Sequence, residues 1–304
     1  MHRILIAIAG VLAIAFSIAH AQSGISPELE AAIHYEFDYR VVPNIVYSTA
    51  SNYQCKLDAY VRPGQMSPVA IVIHGGGWVA GTKEDRTLEC LPFMAMGFSV
   101  VNVEYRLARV AFAPAAVEDC RLALEWVFRN AATYHFDTSR VIVTGGSAGG
   151  HLALMTGLLE PGDGFDASKE WEESIPGLHV AAIINWFGIT DVNELLAGPN
   201  RQDYAVSWLG TVPDREGVAK QVSPLTYVRK TSPPVLTIHG DHDQLVPYQQ
   251  AVRLKHALDA AGVENTLITI PGGNHGGFSH ADYVRCFTAI KDFLRGQGIL
   301  PQGQ

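Results

Sequence analysis

Apolar residues along the chain fall into two interleaved patterns. Residues 69–73 (VAIVI) form an unbroken apolar run of strand length, and similar short runs stand at 99–103, 141–144, 181–184, 235–238 and 266–270. Between them apolar positions recur at helical spacing, which predicts helices over 87–96, 115–130, 148–159, 248–261 and 283–294. Ahead of these, 45–48 and 54–61 read as early strands, the second alternating Leu57, Ala59 and Val61 with polar neighbours and stopping at Pro63-Gly64. Apolar strands without alternation, each followed by a helix, are what a parallel sheet covered on both faces requires. The prediction is one doubly wound α/β domain over 22–304.

One stretch breaks this rhythm. Between Glu160 and Ser232 a single strand is legible, and the rest mixes Trp, Gly, Pro and charges without a clean period. An irregular segment of that length inside a compact domain is expected to be a small lid or cap insertion. Its aromatics Trp171, Trp186, Phe187, Tyr204 and Trp208 suit either a substrate wall or the packing of the lid onto the domain.

The apolar fraction, 48% against 17% charged, excludes a disordered chain, and the formal charge of −8 sets the long-range field against phosphate backbones and anionic membranes. Nucleic acid is therefore not an expected partner. Part of the apolar content belongs to the first residues. His2 and Arg3 precede an apolar run over 4–18, broken by Gly10 and Ser17, and the triplet Ala19-His20-Ala21 follows. That is the order of an export signal cleaved after Ala21, and the run is short for a membrane span, which needs about 20 residues. The expectation is a secreted or periplasmic protein without stable membrane insertion. Cys55, Cys90, Cys120 and Cys286 are scattered, with no C-x-x-C pair to hold a metal or a redox dithiol. In an oxidising compartment they could form one or two disulfides or stay buried as thiols.

Chemistry concentrates in three glycine-built loops. Gly145-Gly146-Ser147-Ala148-Gly149 follows the strand VIVT and opens the helix HLALMTGLL, which places a serine hydroxyl on a sharp strand-to-helix turn. The same turn aims the Ala148 N–H, at the positive end of a helix, toward an oxyanion. His74-Gly75-Gly76-Gly77-Trp78 comes directly after VAIVI. It lacks the G-K-[ST] of a phosphate loop, and no G-x-G-x-x-G opens a helix, so Gly76 and Gly77 read as backbone donors that a substrate carbonyl can approach. A serine needs a base, and the base needs an orienting carboxylate. Residues 235–238 end in HGDHDQLVP and residues 266–270 in PGGNHGGF, so acid and base each stand past the carboxyl end of a strand, where open parallel sheets build their sites.

HGGGW, VNVEYRL, DTSRVIVTGGSAGG, HGDHDQLVP and GGNHGGF, in this order, resemble an α/β-hydrolase esterase of the hormone-sensitive-lipase-like group, and within it the bacterial feruloyl and acetyl-xylan esterases. The likeness runs from about Gln54 to Leu294. It implies an eight-stranded, mostly parallel sheet, a serine-esterase mechanism and no cofactor or metal. On the matching positions it implies Ser147 as nucleophile, Asp243 as acid, His275 as base, and Gly76, Gly77 and Ala148 as oxyanion donors. Asp241 is the rival acid, set aside because the motif places the carboxylate before x-x-V-P. His280 is the rival base, expected at the start of the last helix, whereas glycines flanking His275 let its loop reach the serine. His74, His151, His239 and His242 read as structural or orienting groups. Trp78, Trp186 and Phe187 are candidate substrate contacts. The chain departs from the group at Tyr105-Arg106-Leu107-Ala108-Arg109-Val110, where a Pro and an acidic residue often follow Tyr-Arg-Leu-Ala, so pocket specificity does not carry over.

These residues predict acyl transfer to water through an acyl-enzyme, with small acyl or aryl esters as substrates, acetyl or feruloyl esters of plant polysaccharide among them. A base that acts only when neutral makes kcat/KM fall as the pH drops through the histidine range, about 6–7. Amide or formamide cleavage and peptide cleavage use the same machinery and stand as alternatives. A non-catalytic binding protein on a hydrolase scaffold is the remaining one, and it would be expected to have lost a member of the triad.

Overall fold

The computed structural model describes residues 24–165 and 178–302. The expected export signal, 1–21, and Trp171 lie outside them. The chain divides into two units, one ending at Tyr39 and the other beginning at Arg40. The first holds helix α1 (Pro27–Asp38), where the Ser26 side chain accepts the Leu29 N–H at 3.2 Å and Pro27 occupies the first turn, so the helix start is capped as its sequence suggests.

In the second unit eight strands form one sheet: β1 (Arg40–Ala50), β2 (Tyr53–Val61), β3 (Ser67–Ile73), β4 (Ser99–Val103), β5 (Phe136–Gly146), β6 (Ala182–Trp186), β7 (Val235–Gly240) and β8 (Asn265–Ile270). Their order is β1-β2-β4-β3-β5-β6-β7-β8. β2 pairs antiparallel with β1 and with β4, and every later pairing is parallel. Strands β3, β4, β6 and β7 are buried at every position, which is why they read as unbroken apolar runs. β1 is the outlying edge strand and mostly exposed. Its polar ends hid it from periodicity, and pairing with β2 along Arg40↔Val61 to Ala50↔Tyr53 extends it well beyond residues 45–48.

The described helices of this unit are α2 (Leu91–Ala95), α3 (Ala115–Arg129), α4 (Ala131–Tyr134), α5 (Ala148–Leu158), α6 (Asp203–Leu209), α7 (Arg215–Gln221), α8 (Gln249–Ala261) and α9 (His280–Gly296). The helix expected over 87–96 is instead a 3-10 helix, Lys83–Cys90, running into the short α2. Two constraints explain the change. Pro92 belongs in a first turn, so a helix restarts there, and Lys83 is buried with its ammonium 2.9 Å from Asp58 on β2, which pins the segment's start to the sheet. The described residues of 160–232 form β6, the short helices α6 and α7, and 3-10 turns at Asn193–Leu195, Gly198–Asn200 and Pro224–Tyr227. All four cysteines are buried free thiols.

A buried ion pair ties the loop after β4 to α3. Asp119, fully buried, accepts the Arg106 backbone N–H at 2.8 Å and its Nε at 2.9 Å, while Arg106 also reaches the Ala115 carbonyl. Removing one partner of such a pair leaves an uncompensated charge in the interior. Asp119→Ala should therefore lower unfolding free energy by about 3–5 kcal/mol, read as a drop in the urea midpoint with little change in slope.

Candidate active site

The site begins where β3 and β5 end side by side, with Ile73 opposite Gly145 in the ladder. Beyond this pair β5 turns sharply through Gly146 into Ser147, which takes φ 59° and ψ −123°, a conformation costly for a residue with a side chain. Its own N–H holds the turn by donating to the Trp186 carbonyl at the end of β6, 2.9 Å away. The first turn of α5 can then lie against the end of β3 only because residue 149 is glycine, since a Cβ there would sit 2.1 Å from the Ile73 carbonyl oxygen.

Two further loops reach this serine. His275, after β8, places Nε2 2.7 Å from Ser147 Oγ and Nδ1 2.7 Å from Asp243 Oδ2. Asp243, after β7, turns its other oxygen to the N–H groups of Leu245 and Val246 at 2.8 and 2.9 Å. His239 Nε2 stands 3.2 Å from Asp243 Oδ2 and 2.9 Å from the Val246 carbonyl. Burial would raise the Asp243 carboxyl, but the hydrogen bonds from His239, His275 and the Val246 N–H outweigh it and hold the group well below the usual carboxylate range. An ionised carboxylate can only accept, so Nδ1 of His275 donates in that contact and Nε2 is the nitrogen that faces the serine.

The rivals have other positions. Asp241 accepts the Gly272 N–H at 2.6 Å, joining the β7 and β8 loops outside the triad. His280 is exposed at the first position of α9, and His242 is exposed on its loop. In the HGGGW loop, Gly76 and Gly77 have φ of 110° and 59°. The N–H groups of Gly76, Gly77 and Ala148 meet no acceptor among the described residues, which leaves three donors beside Ser147 free for a ligand.

A cavity of about 670 Å³ opens over Ser147, Gly76, Gly77 and His275. Trp186 and Phe187 line it, Phe187 lying against the His275 ring at 4.8 Å between centroids. Trp78 does not line it. That expectation is corrected: the indole is fully buried, stacked on Trp208 at 4.1 Å, and belongs to the support of the loop. Sequence reasoning missed the rest of the wall, which comes from Arg86, Leu88, Phe93, Tyr283 and Phe287, the last two packing against Trp186 at 5.8 and 5.5 Å between centroids. The spacing of Tyr283 and Phe287 on one face of α9 was the available signal, but the same spacing marks any buried helix face.

With this geometry in place the comparisons with known proteins are specific. The BD-FAE family model matches residues 57–258, about two thirds of the sequence and the stretch that carries Ser147 and Asp243. The chain belongs to the BD-FAE family. The BD-FAE chain is 29% identical over 245 residues to the esterase LipQ of Mycobacterium tuberculosis, covering 77% of this chain and 56% of that protein. It is 25% identical over 261 residues to the isoprenylcysteine alpha-carbonyl methylesterase ICME of Arabidopsis thaliana, covering 81% and 59%. This chain thus spans a little over half the length of LipQ and of ICME. Among solved structures, a truncated carbohydrate esterase from gut microbiota superposes with a TM-score of 0.72 at 31% identity, over 86% of this chain and 97% of that one. Thermogutta terrifontis esterase 2, phosphoramylated by tabun, gives 0.71 at 25% identity over 88% and 97%. The fold of the BD-FAE chain is that of the α/β-hydrolases, as the resemblance implied.

Two histidines beside the site of the BD-FAE chain are kept neutral by burial. Burial pushes His74 down to about 4 against the pull of the Gly75 carbonyl, and pushes His151 down to about 4 against the Val222 carbonyl. Because their folded values lie below the unfolded 6.5, the unfolded chain binds these protons first on acidification. Stability is therefore present in full above the unfolded value and is lost as the pH falls from about 6.5 toward about 4, by up to about 3 kcal/mol for each group. Urea midpoints measured across that interval should fall steadily. A flat profile would contradict the neutral, buried state of both rings.

Proposed function

We propose that this chain is a carboxylic ester hydrolase that transfers an acyl group to Ser147 and then to water. The observation that carries the reading is the line of two 2.7 Å contacts, Ser147 to His275 and His275 to Asp243, ending in a cavity with free backbone donors on its rim. Ser147 Oγ attacks the ester carbonyl as His275 Nε2 takes its proton. Asp243 holds the imidazole and balances the imidazolium that forms. Negative charge on the carbonyl oxygen is met by the N–H groups of Gly76, Gly77 and Ala148, each such donor being worth about 3–4 kcal/mol in the transition state. His275 next gives the proton to the leaving alcohol. A water, activated by the same imidazole, then releases the acid from Ser147.

The substrate reading is a small acyl or aryl ester, with acetyl or feruloyl groups on plant polysaccharide as the specific form. It is supported by the aromatic wall of Trp186 and Phe187 beside the triad, in a cavity of the size that takes a small organic molecule. The carbohydrate esterase among the similar structures points the same way. The proposal includes export, resting on the signal pattern in residues 1–21, and no described helix is long and apolar enough to cross a membrane.

Ser147→Ala should lower kcat at least about 10⁴-fold with the fold retained, and a fluorophosphonate should modify Ser147 alone. Retention of most of the esterase rate in that variant would overturn the assignment. Rates on p-nitrophenyl acetate, butyrate and octanoate, methyl ferulate, acetylated xylan and N-formylkynurenine should favour short or aryl esters over the octanoate and the formamide. A preference for the formamide would move the reading to amide cleavage.

A further inference from the structure

His151 lies one turn beyond Ser147 on α5, its backbone N–H donating to the Ser147 carbonyl at 2.9 Å, and the chemistry proposed above makes no use of its ring. The ring is fully buried and both nitrogens are engaged. Trp78 Nε1 donates to Nδ1 at 3.2 Å, and an indole N–H can only donate, so the His151 proton sits on Nε2. Nε2–H in turn donates to the Val222 carbonyl, just past α7, at 2.6 Å. One neutral imidazole thus links the serine's helix, the glycine loop and the segment around α6 and α7.

The tie to Trp78 matters because that residue follows Gly77 directly and shares its left-handed backbone, φ 61° after 59°. For a tryptophan this is a strained state, sustained only by surroundings that over-determine it. Those surroundings are the His151 hydrogen bond, the stacked Trp208 ring of α6, and the Ala108 N–H, which donates to the Trp78 carbonyl at 2.9 Å. Tyr204, also on α6, closes over the loop: a Cβ at Gly77 would meet its side chain at 2.8 Å, and its hydroxyl donates to the Leu245 carbonyl beside Asp243.

We propose that His151 is a positioning residue for the reaction, fixing the direction of the Gly76 and Gly77 N–H groups through its hydrogen bond to Trp78. This rests on the ester-hydrolase reading, because only there do those donors face a developing oxyanion. A donor displaced by a fraction of an ångström loses transition-state binding while leaving ground-state binding almost untouched. The signature is therefore a fall in kcat at nearly constant KM.

The test compares His151→Phe, His151→Gln and Trp78→Phe on p-nitrophenyl acetate, together with inhibition by a boronic acid whose tetrahedral adduct occupies the oxyanion position. His151→Phe and Trp78→Phe should each lower kcat by about 10- to 100-fold, below the cost of deleting a donor outright, with KM within about threefold. Boronate affinity should weaken by a similar factor. The double variant should cost no more than either single one, as expected for one shared interaction. Glutamine can accept from the indole and donate to Val222, so His151→Gln should recover most of the rate. Unchanged kcat in Trp78→Phe, which keeps an aromatic ring at the stack and removes the donor together with part of the indole, would overturn the proposal even if His151→Phe failed to fold. Equal losses in the Phe and Gln variants, tracking a lowered Tm, would overturn it in favour of packing alone. Nuclear magnetic resonance of the Gly76 and Gly77 amides reads positioning without turnover: their resonances should shift in His151→Phe and return toward the wild-type positions in His151→Gln, with Trp78 present in both. A wild-type chain that hydrolyses no ester and takes no fluorophosphonate would sink the ester-hydrolase reading instead, leaving that amide shift to judge the positioning.

Discussion

The site depends on the parallel ladder between β3 and β5. Because Ile73 stands opposite Gly145, the two strands end level and release their loops toward the same point, HGGGW from one and the serine turn from the other. Nothing bulky separates them. Gly149 lets α5 begin against the Ile73 carbonyl, and a Cβ at Gly75 would come within 2.7 Å of the Gly146 carbonyl oxygen. Side chains at these positions would push the loops apart by more than the length of a hydrogen bond can absorb. A parallel sheet built on unbroken apolar strands brings the loops together, and glycine lets them touch.

The same geometry sets the electrostatics. Asp243 keeps its charge in a buried setting with no Lys or Arg among its hydrogen-bond partners, using two backbone N–H groups and two imidazoles. Neutral donors hold the carboxylate without supplying a countercharge, so its negative charge is left facing the His275 and His239 rings. His74 and His151 do the opposite. Burial without a carboxylate partner keeps them neutral, which suits rings that brace loops. Four histidines within one site thus divide into two that face an acid and two that do not, and that division settles what each can do.

The wall of the cavity shows where sequence reading stops. Its glycine floor was visible as three clustered loops, because turn chemistry is local. Its aromatic and charged sides are not local: Arg86, Leu88 and Phe93 come from the segment between β3 and β4, and Tyr283 and Phe287 from the last helix. Each of these positions has an ordinary explanation within its own element. Trp78 failed in the other direction. Next to a catalytic-looking motif it reads as a substrate contact, yet it faces inward, because its left-handed backbone turns the indole toward His151 and Trp208.

Element order, the parallel core and the three side chains that the fold aligns were legible from the chain alone, since apolar periodicity, glycine clusters and motif order are all properties of neighbouring residues. Motif position separated Asp243 from Asp241, flanking glycines separated His275 from His280, and the folded chain brings the first of each pair into one line with Ser147. Local pattern did not reveal the 3-10 course of Lys83–Cys90, set by a buried Lys83–Asp58 contact, or the length of β1, set by its partner strand. Nor did it reveal the inward turn of Trp78 or the part of the cavity wall built by Arg86, Phe93, Tyr283 and Phe287. Each of these depends on contacts between residues distant in sequence, and such contacts exist only once the sheet has assembled and chosen which side of each element is buried.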